Sequence, residues 1–346
     1  MSGKKQHILP RFLLKGFANR IEGDSFYILV HRKDGKVFES NINNICAERY
    51  FYGKGSDLNA DTDITEREGE YASLLNYLIS IESETELHDS RVPEFITHML
   101  VRTKHLRDSL RTSSEFLVDN LSEYLSNFEN QKRLMLRNIT SLQSQIESTL
   151  GTHNVTPFQR EFLRVLLPRF VPFIMSQHKR EIQIMCDLFF SHIKNNLPKF
   201  LKDAHIKALL KGNAPDLRVQ RYQSLKWYIC KVDNPVILGD VGVLIETEGD
   251  NRFISLDFQN DKIICVYLPI CRNRLLVGTS LPKPPVLNSK DLNEVISKKS
   301  REFFVSAISS SEHKCLLPHI GKESDMVSEE EMEKIFNEII TEYGKE

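Results

Sequence analysis

The chain of 346 residues carries a single tryptophan and no strong excess of charge. Lys and Arg number 46, Asp and Glu 47, so the formal net charge is −1. That balance removes the bulk electrostatic case for nucleic-acid binding, leaving only a local basic groove. No apolar run reaches the roughly 18 residues that a membrane-spanning helix needs. The six cysteines (Cys46, Cys186, Cys230, Cys265, Cys271, Cys315) form no C-x-x-C pair and have no histidine at zinc-finger spacing. They lie among apolar residues, and buried free thiols in a reducing compartment are the expectation. The polar start Met1–Gln6 has no signal-peptide pattern, which predicts a cytoplasmic protein without membrane attachment. There is no Walker loop, no G-x-G-x-x-G, no H-E-x-x-H and no G-x-S-x-G. Nucleotide-loop, zincin and serine-hydrolase chemistries therefore have no textual support.

What is present is an ordinary globular composition, 40% hydrophobic and 27% charged, long enough for a large core. Near the start stands QHILPRFLLKGF, Gln6–Phe17. Pro10 suits the first turn of a helix, and Phe12, Leu13, Leu14 and Phe17 give that helix an apolar face. Phe26–Val30 and Lys36–Ser40 flank Asp34-Gly35, a hairpin signal. From Ile64 to Leu210 the apolar period is helical: Ile64–Ser80, Pro93–Thr112, Ser114–Leu150 and Pro157–Leu201, the last with Pro168 and Pro172 expected to kink or split it. Strand-like segments follow at Leu225–Val232, Asn251–Phe258, Lys262–Pro269 and Arg274–Thr279. Helices at Ser289–Ser309 and Ser328–Tyr343, the second capped by Ser328, close the chain. The fold class is α+β: an N-terminal helix and β-hairpin, a long helical middle, a late antiparallel-type sheet and C-terminal helices. The expected divisions are 1–60, 61–215 and 216–346, the last joined compactly to the N-terminal segment.

Three polar positions fall where apolar ones are expected. At about 100° per residue, Glu68 shares a face with Ile64, Tyr71, Leu75 and Ile79. An ionised carboxylate there needs a partner. Arg102 lies beside the stripe Phe95, Met99, Leu106, Leu110 and is a candidate for it, by a bidentate bond. His98 and His105 lie on the same side, with Arg107 on the opposite flank. The third position is the strand end Val232–Val236, where Asp233-Asn234-Pro235 reads either as a turn or as a presented carboxylate. Other strings are weak: Arg91 and His98 match a helical-ribonuclease spacing, Asp34-Gly-Lys36 is better read as the hairpin turn, and Asp257, Asp261 and Glu246 read equally as strand-edge charge.

Taken together, the motifs resemble a large, mainly bacterial family of uncharacterised proteins. Its members open on Gln-His-x-x-Pro-x-x-x-Leu-x-x-Phe, matched by Gln6, His7, Pro10, Leu14 and Phe17, with Arg11 and Phe12 also in pattern. They continue with Glu-x-x-x-Tyr (Glu48, Tyr52), a helical Glu-Gly (Glu68-Gly69), Arg-Thr-x-x-x-Arg (Arg102, Thr103, Arg107) and Asp-Asn-Pro-Val (Asp233 to Val236). Met99, Lys104 and Val232 stand where the family has Gln, Pro and Ser. The resemblance implies that His7, Glu68, Arg102, Asp233 and Asn234 belong together, but no established activity.

Two functions compete. In one, the chain is a metal-dependent phosphodiesterase or nuclease-like effector, of the kind found in bacterial antiviral defence or toxin systems. Glu68 and Asp233 would then hold a divalent metal or activate water, His7 would be base or ligand, and Arg102, Arg107, Asn234 and Arg11 would bind a nucleic acid or nucleotide. In the other, the His-Glu-Arg-Asp cluster is a structural network in a non-catalytic binding protein or sensor. A protein partner or a second copy would then dock on the polar helix Glu123–Leu150.

Overall fold

The computed structural model describes residues 5–49, 51, 58–138, 156–210, 216–248, 252–256, 262–324 and 327–344. In chain order, strand β1 (Lys5–His7) leads into helix α1 (Arg11–Leu14), then β2 (Arg20–Glu22), β3 (Ser25–Arg32), β4 (Val37–Asn41) and β5 (Ala47–Arg49). Helix α2 (Leu58–Ser80), the short β6 (Glu86–Leu87), α3 (Arg91–Val101), α4 (Lys104–Ser126), α5 (Phe128–Arg137), α6 (Pro157–Gln177) and α7 (Lys179–Leu209) form the middle. After α8 (Asp216–Gln223) come β7 (Lys226–Lys231), β8 (Leu238–Gly239), β9 (Leu244–Thr247), β10 (Phe253–Ile254), β11 (Ile263–Cys271) and β12 (Arg274–Thr279). Helix α9 (Ser289–Lys299), β13 (Phe303–Ser306), α10 (Ser311–Cys315) and α11 (Glu329–Gly344) complete the chain. The class is α+β with a helical middle and antiparallel sheets.

The chain folds into two units, one of residues 1–109 with 201–326, the other of 110–200 with 327–346. The first unit holds the sheets. A six-stranded antiparallel sheet runs β10-β9-β11-β12-β7-β6. A second runs β2-β3-β13-β8, with β4 paired along β3 from Tyr27 to His31. Strands β1 and β5 make a separate pair in which Gln6 faces Glu48. Strand β11 is buried nearly throughout, because helices α1 and α2 lie against it. The predicted docking of the first helix is observed: Leu13, Leu14 and Phe17 are fully buried. Gly16 allows that closeness, since a Cβ there would sit 2.5 Å from the Ile270 carbonyl oxygen. Gly278 lies opposite Trp227, and the indole covers the space that a side chain would fill.

The second unit is helical. Asn127 ends α4 and caps α5, its side chain accepting from the Glu129 amide. Thr156 and Gln159 form a capping box at the start of α6.

Several expectations need correction. The helix expected over Pro93–Thr112 is two helices, broken at Arg102-Thr103. The helix expected from Ser114 breaks at Asn127, and the remainder of the proposed Glu123–Leu150 surface past Asn138 lies outside the described residues. Helix α6 is not split at Pro168 or Pro172; the chain turns at His178 instead. The closing helix from Ser289 ends at Lys299, and Phe303–Ser306 is a strand. Cys315 is exposed and Cys186 half-buried, whereas the other four free thiols are buried. Among the described residues, no helix is long and apolar enough to cross a membrane.

Candidate functional site

The Arg-Thr pair between α3 and α4 builds the centre of the site. Arg102 caps α3, its amide donating to the His98 carbonyl. Thr103 caps α4 by accepting the Leu106 amide on Oγ1 at 3.2 Å. The turn directs the Arg102 side chain inward, where the residue is only 1% exposed. Its Nη2 lies 2.5 Å from Glu68 Oε1 and donates to the His7 carbonyl at 2.6 Å. Nε donates to the carbonyl of Ile8 at 2.9 Å and more weakly to that of His7 at 3.2 Å. Nη1 lies 3.5 Å from His98 Nε2. Burial, and then the charges of Arg102 and Arg67, hold His98 well below its usual range, so the ring is neutral. The arginine thus ties two helices to the N-terminal strand. The planar fork suits this, since it serves a carboxylate and backbone carbonyls together.

Arg107, one turn on, repeats the pattern. Its Nη2 donates to the Phe51 carbonyl at 3.0 Å, and the guanidinium lies 3.6 Å above the Phe51 ring. Both Nε and Nη2 reach His205 Nδ1, at 3.0 and 2.8 Å. His205 in turn donates from Nε2 to the Val101 carbonyl at 2.5 Å. Burial first, and then Arg107, lower the His205 pKa to about 4. The two arginines of the Arg-Thr-x-x-x-Arg string therefore grip opposite ends of the N-terminal segment, at His7–Ile8 and at Phe51.

A cavity of about 470 Å³ opens beside this grip, with Ile8 and Leu9 in one wall. Its charged lining includes Arg32, Glu48, Lys104, Asp108, Asp240 and Arg301. Lys104 pairs with Glu48 at 3.5 Å and Arg301 with Asp108 at 2.9 Å. Asp240 accepts the backbone amides of Arg301, Glu302 and Phe303 at 2.9, 2.7 and 3.3 Å. Burial outweighs those three bonds and raises the Asp240 pKa to about 6. A cavity of this size, with paired charges of both signs, suits a small polar ligand that replaces protein partners with its own charges.

The expected site residues are placed as follows. His7 contributes its carbonyl oxygen to Arg102. Glu68 meets Arg102 and keeps 27% of its side chain exposed. Arg11 is exposed and donates to Asn43 at 3.3 Å. Asp233 and Asn234 are exposed in the turn after β7. Asp233 lines a different cavity, with Glu84, Glu86, Tyr228 and Lys231, and none of His7, Glu68 or Arg102 lines it. Among the described residues, no three His, Cys, Asp or Glu side chains converge to hold a metal ion. Glu246 is buried and bonded to Arg252 and Tyr267, while Asp257 and Asp261 lie outside the described residues. Asp34 caps the hairpin turn, accepting the Lys36 amide. His205, Asp240, Asp108 and Arg301 escaped the sequence reading. Only His205 left a signal there, four residues before Leu209 on an apolar helix face.

A family model described as a protein of unknown function, DUF4238, matches residues 5–342. The chain belongs to that family. No curated protein and no solved structure matches it.

Proposed function

We propose that this DUF4238 member is a non-catalytic binding or sensor protein. In this reading Glu68, Arg102 and the His7 backbone form a structural network, and the adjoining charged cavity takes a small polar ligand bearing both acidic and cationic groups. The observation that carries this reading is the engagement of Arg102. Its guanidinium is committed to two backbone carbonyls and a carboxylate, away from solvent. A phosphate-binding arginine has to turn its fork toward a ligand. The same bonds fix Ile8, which lines the cavity. A buried network that shapes a cavity wall is a way to report occupancy through the N-terminal segment.

The test is calorimetric titration of the full chain with a panel of free amino acids, nucleotides and short acidic and basic peptides, run beside hydrolysis assays on RNA, DNA and nucleotides with Mg²⁺ and Mn²⁺. We expect saturable binding of a zwitterionic member of the panel, weakened about tenfold or more in Lys104→Met and in Arg301→Met. Metal-dependent hydrolysis that disappears in a folded Glu68→Gln variant would overturn the reading in favour of the phosphodiesterase.

A further inference from the structure

The cavity that Asp233 lines has a volume of about 730 Å³ and lies at the β6 edge of the six-stranded sheet. Ligand pockets span about 300–1,000 Å³. Tyr228 and Cys230, alternate residues of β7, put their side chains on one face of the strand and line it. Tyr228 is 7% exposed and Cys230 8%. The phenol donates to Glu86 Oε2 at 3.2 Å, which leaves its oxygen as an acceptor. The Cys230 thiol makes no hydrogen bond among the described residues. Burial, and then the charge of Glu84, push that thiol up to about 11, so it is neutral and adds no charge of its own.

Three exposed carboxylates, Glu84, Glu86 and Asp233, share this cavity with two exposed lysines, Lys231 and Lys283. Among the described residues, none of the three carboxylates is in an ion pair, although both lysines line the same cavity. Glu84 is fixed through its backbone. Its φ of 68° lies in the left-handed region that glycine adopts most easily, and its amide donates to the Ile229 carbonyl at 2.7 Å. The opposite lining comes from residues 282–287, where Pro282, Pro284 and Pro285 have no N–H to donate.

The lining is therefore rich in acceptors and poor in donors. A phosphate or carboxylate finds little here to bind it. A single metal ion fits no better, because among the described residues no three His, Cys, Asp or Glu side chains converge to hold one. Carboxylates that stand apart are met by a ligand whose positive charges stand apart. An alkyl polyamine has that form, with N–H donors at intervals along an apolar chain. Val286, Leu287 and the prolines give the chain an apolar wall.

We propose that this cavity binds an alkyl polyamine, its ammonium groups meeting Glu84, Glu86 and Asp233 and one N–H donating to the Tyr228 oxygen. The site shares no lining residue with the cavity beside Ile8 and Leu9, so it is independent of that cavity's ligand. The experiment is calorimetric titration of the full chain with spermidine at low salt, and with Mg²⁺ for comparison, on the wild type, Glu84→Gln, Asp233→Asn, Lys283→Glu and Glu330→Gln, each checked for folding by circular dichroism. Spermidine should saturate one site with a Kd below about 1 mM, and no saturation by ~10 mM overturns the site. Glu84→Gln and Asp233→Asn should each weaken binding about threefold or more. Lys283→Glu should tighten it about threefold or more, a gain that misfolding does not produce. Glu330→Gln removes the same charge from α11 and should change nothing; a loss there equal to that of Asp233→Asn means diffuse attraction and overturns the site. Folded Glu84→Gln and Asp233→Asn that bind as the wild type does, or a Lys283→Glu that binds no more tightly, overturn the placement. Mg²⁺ binding as tightly as spermidine overturns the polyamine.

Discussion

Arg102 concentrates more of the fold in one side chain than any other polar residue of the site. Replacing it with Met would leave Glu68 without its cation and two backbone carbonyls without their donor. Breaking a buried pair by removing one partner costs about 3–5 kcal/mol. We expect Arg102→Met to lose that much in urea unfolding and to raise amide exchange along Gln6–Leu9. Arg102→Lys should recover only part of it, since an ammonium is a point charge and cannot span a carboxylate and two carbonyls in one plane. An unchanged urea midpoint in Arg102→Met would mean that the N-terminal segment is held by other contacts.

At the scale of elements, the break between α3 and α4 governs where that arginine points. Thr103 supplies the cap that starts the second helix, and Thr103→Ala should cost about 1 kcal/mol. The variant should also loosen Arg102, read as faster exchange at Ile8 than a surface cap variant such as Thr156→Ala produces. This break illustrates what a sequence conceals. The apolar stripe from Phe95 to Leu106 runs across it without interruption, so periodicity predicts one helix. Elements with local signals are legible: the Asp34-Gly35 hairpin, strand β12, and α11 with Ser328 and Glu331 capping each other. Strand β13 is not, because its four residues are too few to show a period and its partners, β3 and β8, are distant in sequence. Helical spacing marks Arg102 as a candidate partner for Glu68 but fits an arginine reaching to water equally well; the ion pair itself is seen only in the fold. The His7 and Ile8 carbonyls that Arg102 also engages leave no mark in a sequence. Asp240 likewise shows its role only through three amides some 60 residues away.

For the molecule as a whole, the buried histidines set the response to acid. Burial, followed by the charges of His313 and Lys314, lowers the His31 pKa to about 4. His205 lies at about 4 and His98 well below its usual range. An unfolded histidine takes up its proton near 6.5, whereas these accept one only at lower pH in the folded state. The unfolded chain therefore binds more protons in between, and stability falls as pH drops from about 6.5 to 4. Asp240 opposes this. Its folded pKa of about 6 exceeds that of an unfolded aspartate, so between about 6 and 4 the folded state is the one that gains a proton. Burial lowers the His313 pKa as well, and with four groups against one the melting temperature should fall between pH 7 and pH 5. The fall should be steeper in Asp240→Asn, which lacks the counterweight. Differential scanning at pH 7, 6 and 5 checks both, and a melting temperature that rises on acidification would contradict the assignment.

The pairing of β3 with β13 has a further consequence, in time. His31 stacks on Phe304 and bonds Ser306, 275 residues further along the chain. At about 5–20 residues per second, a ribosome needs roughly 15–55 s to make that stretch. Throughout that interval the β3–β4 hairpin is already synthesised while one of its partner strands does not yet exist. Until β13 is made, the nascent chain must keep the free edge of β3 out of wrong pairings.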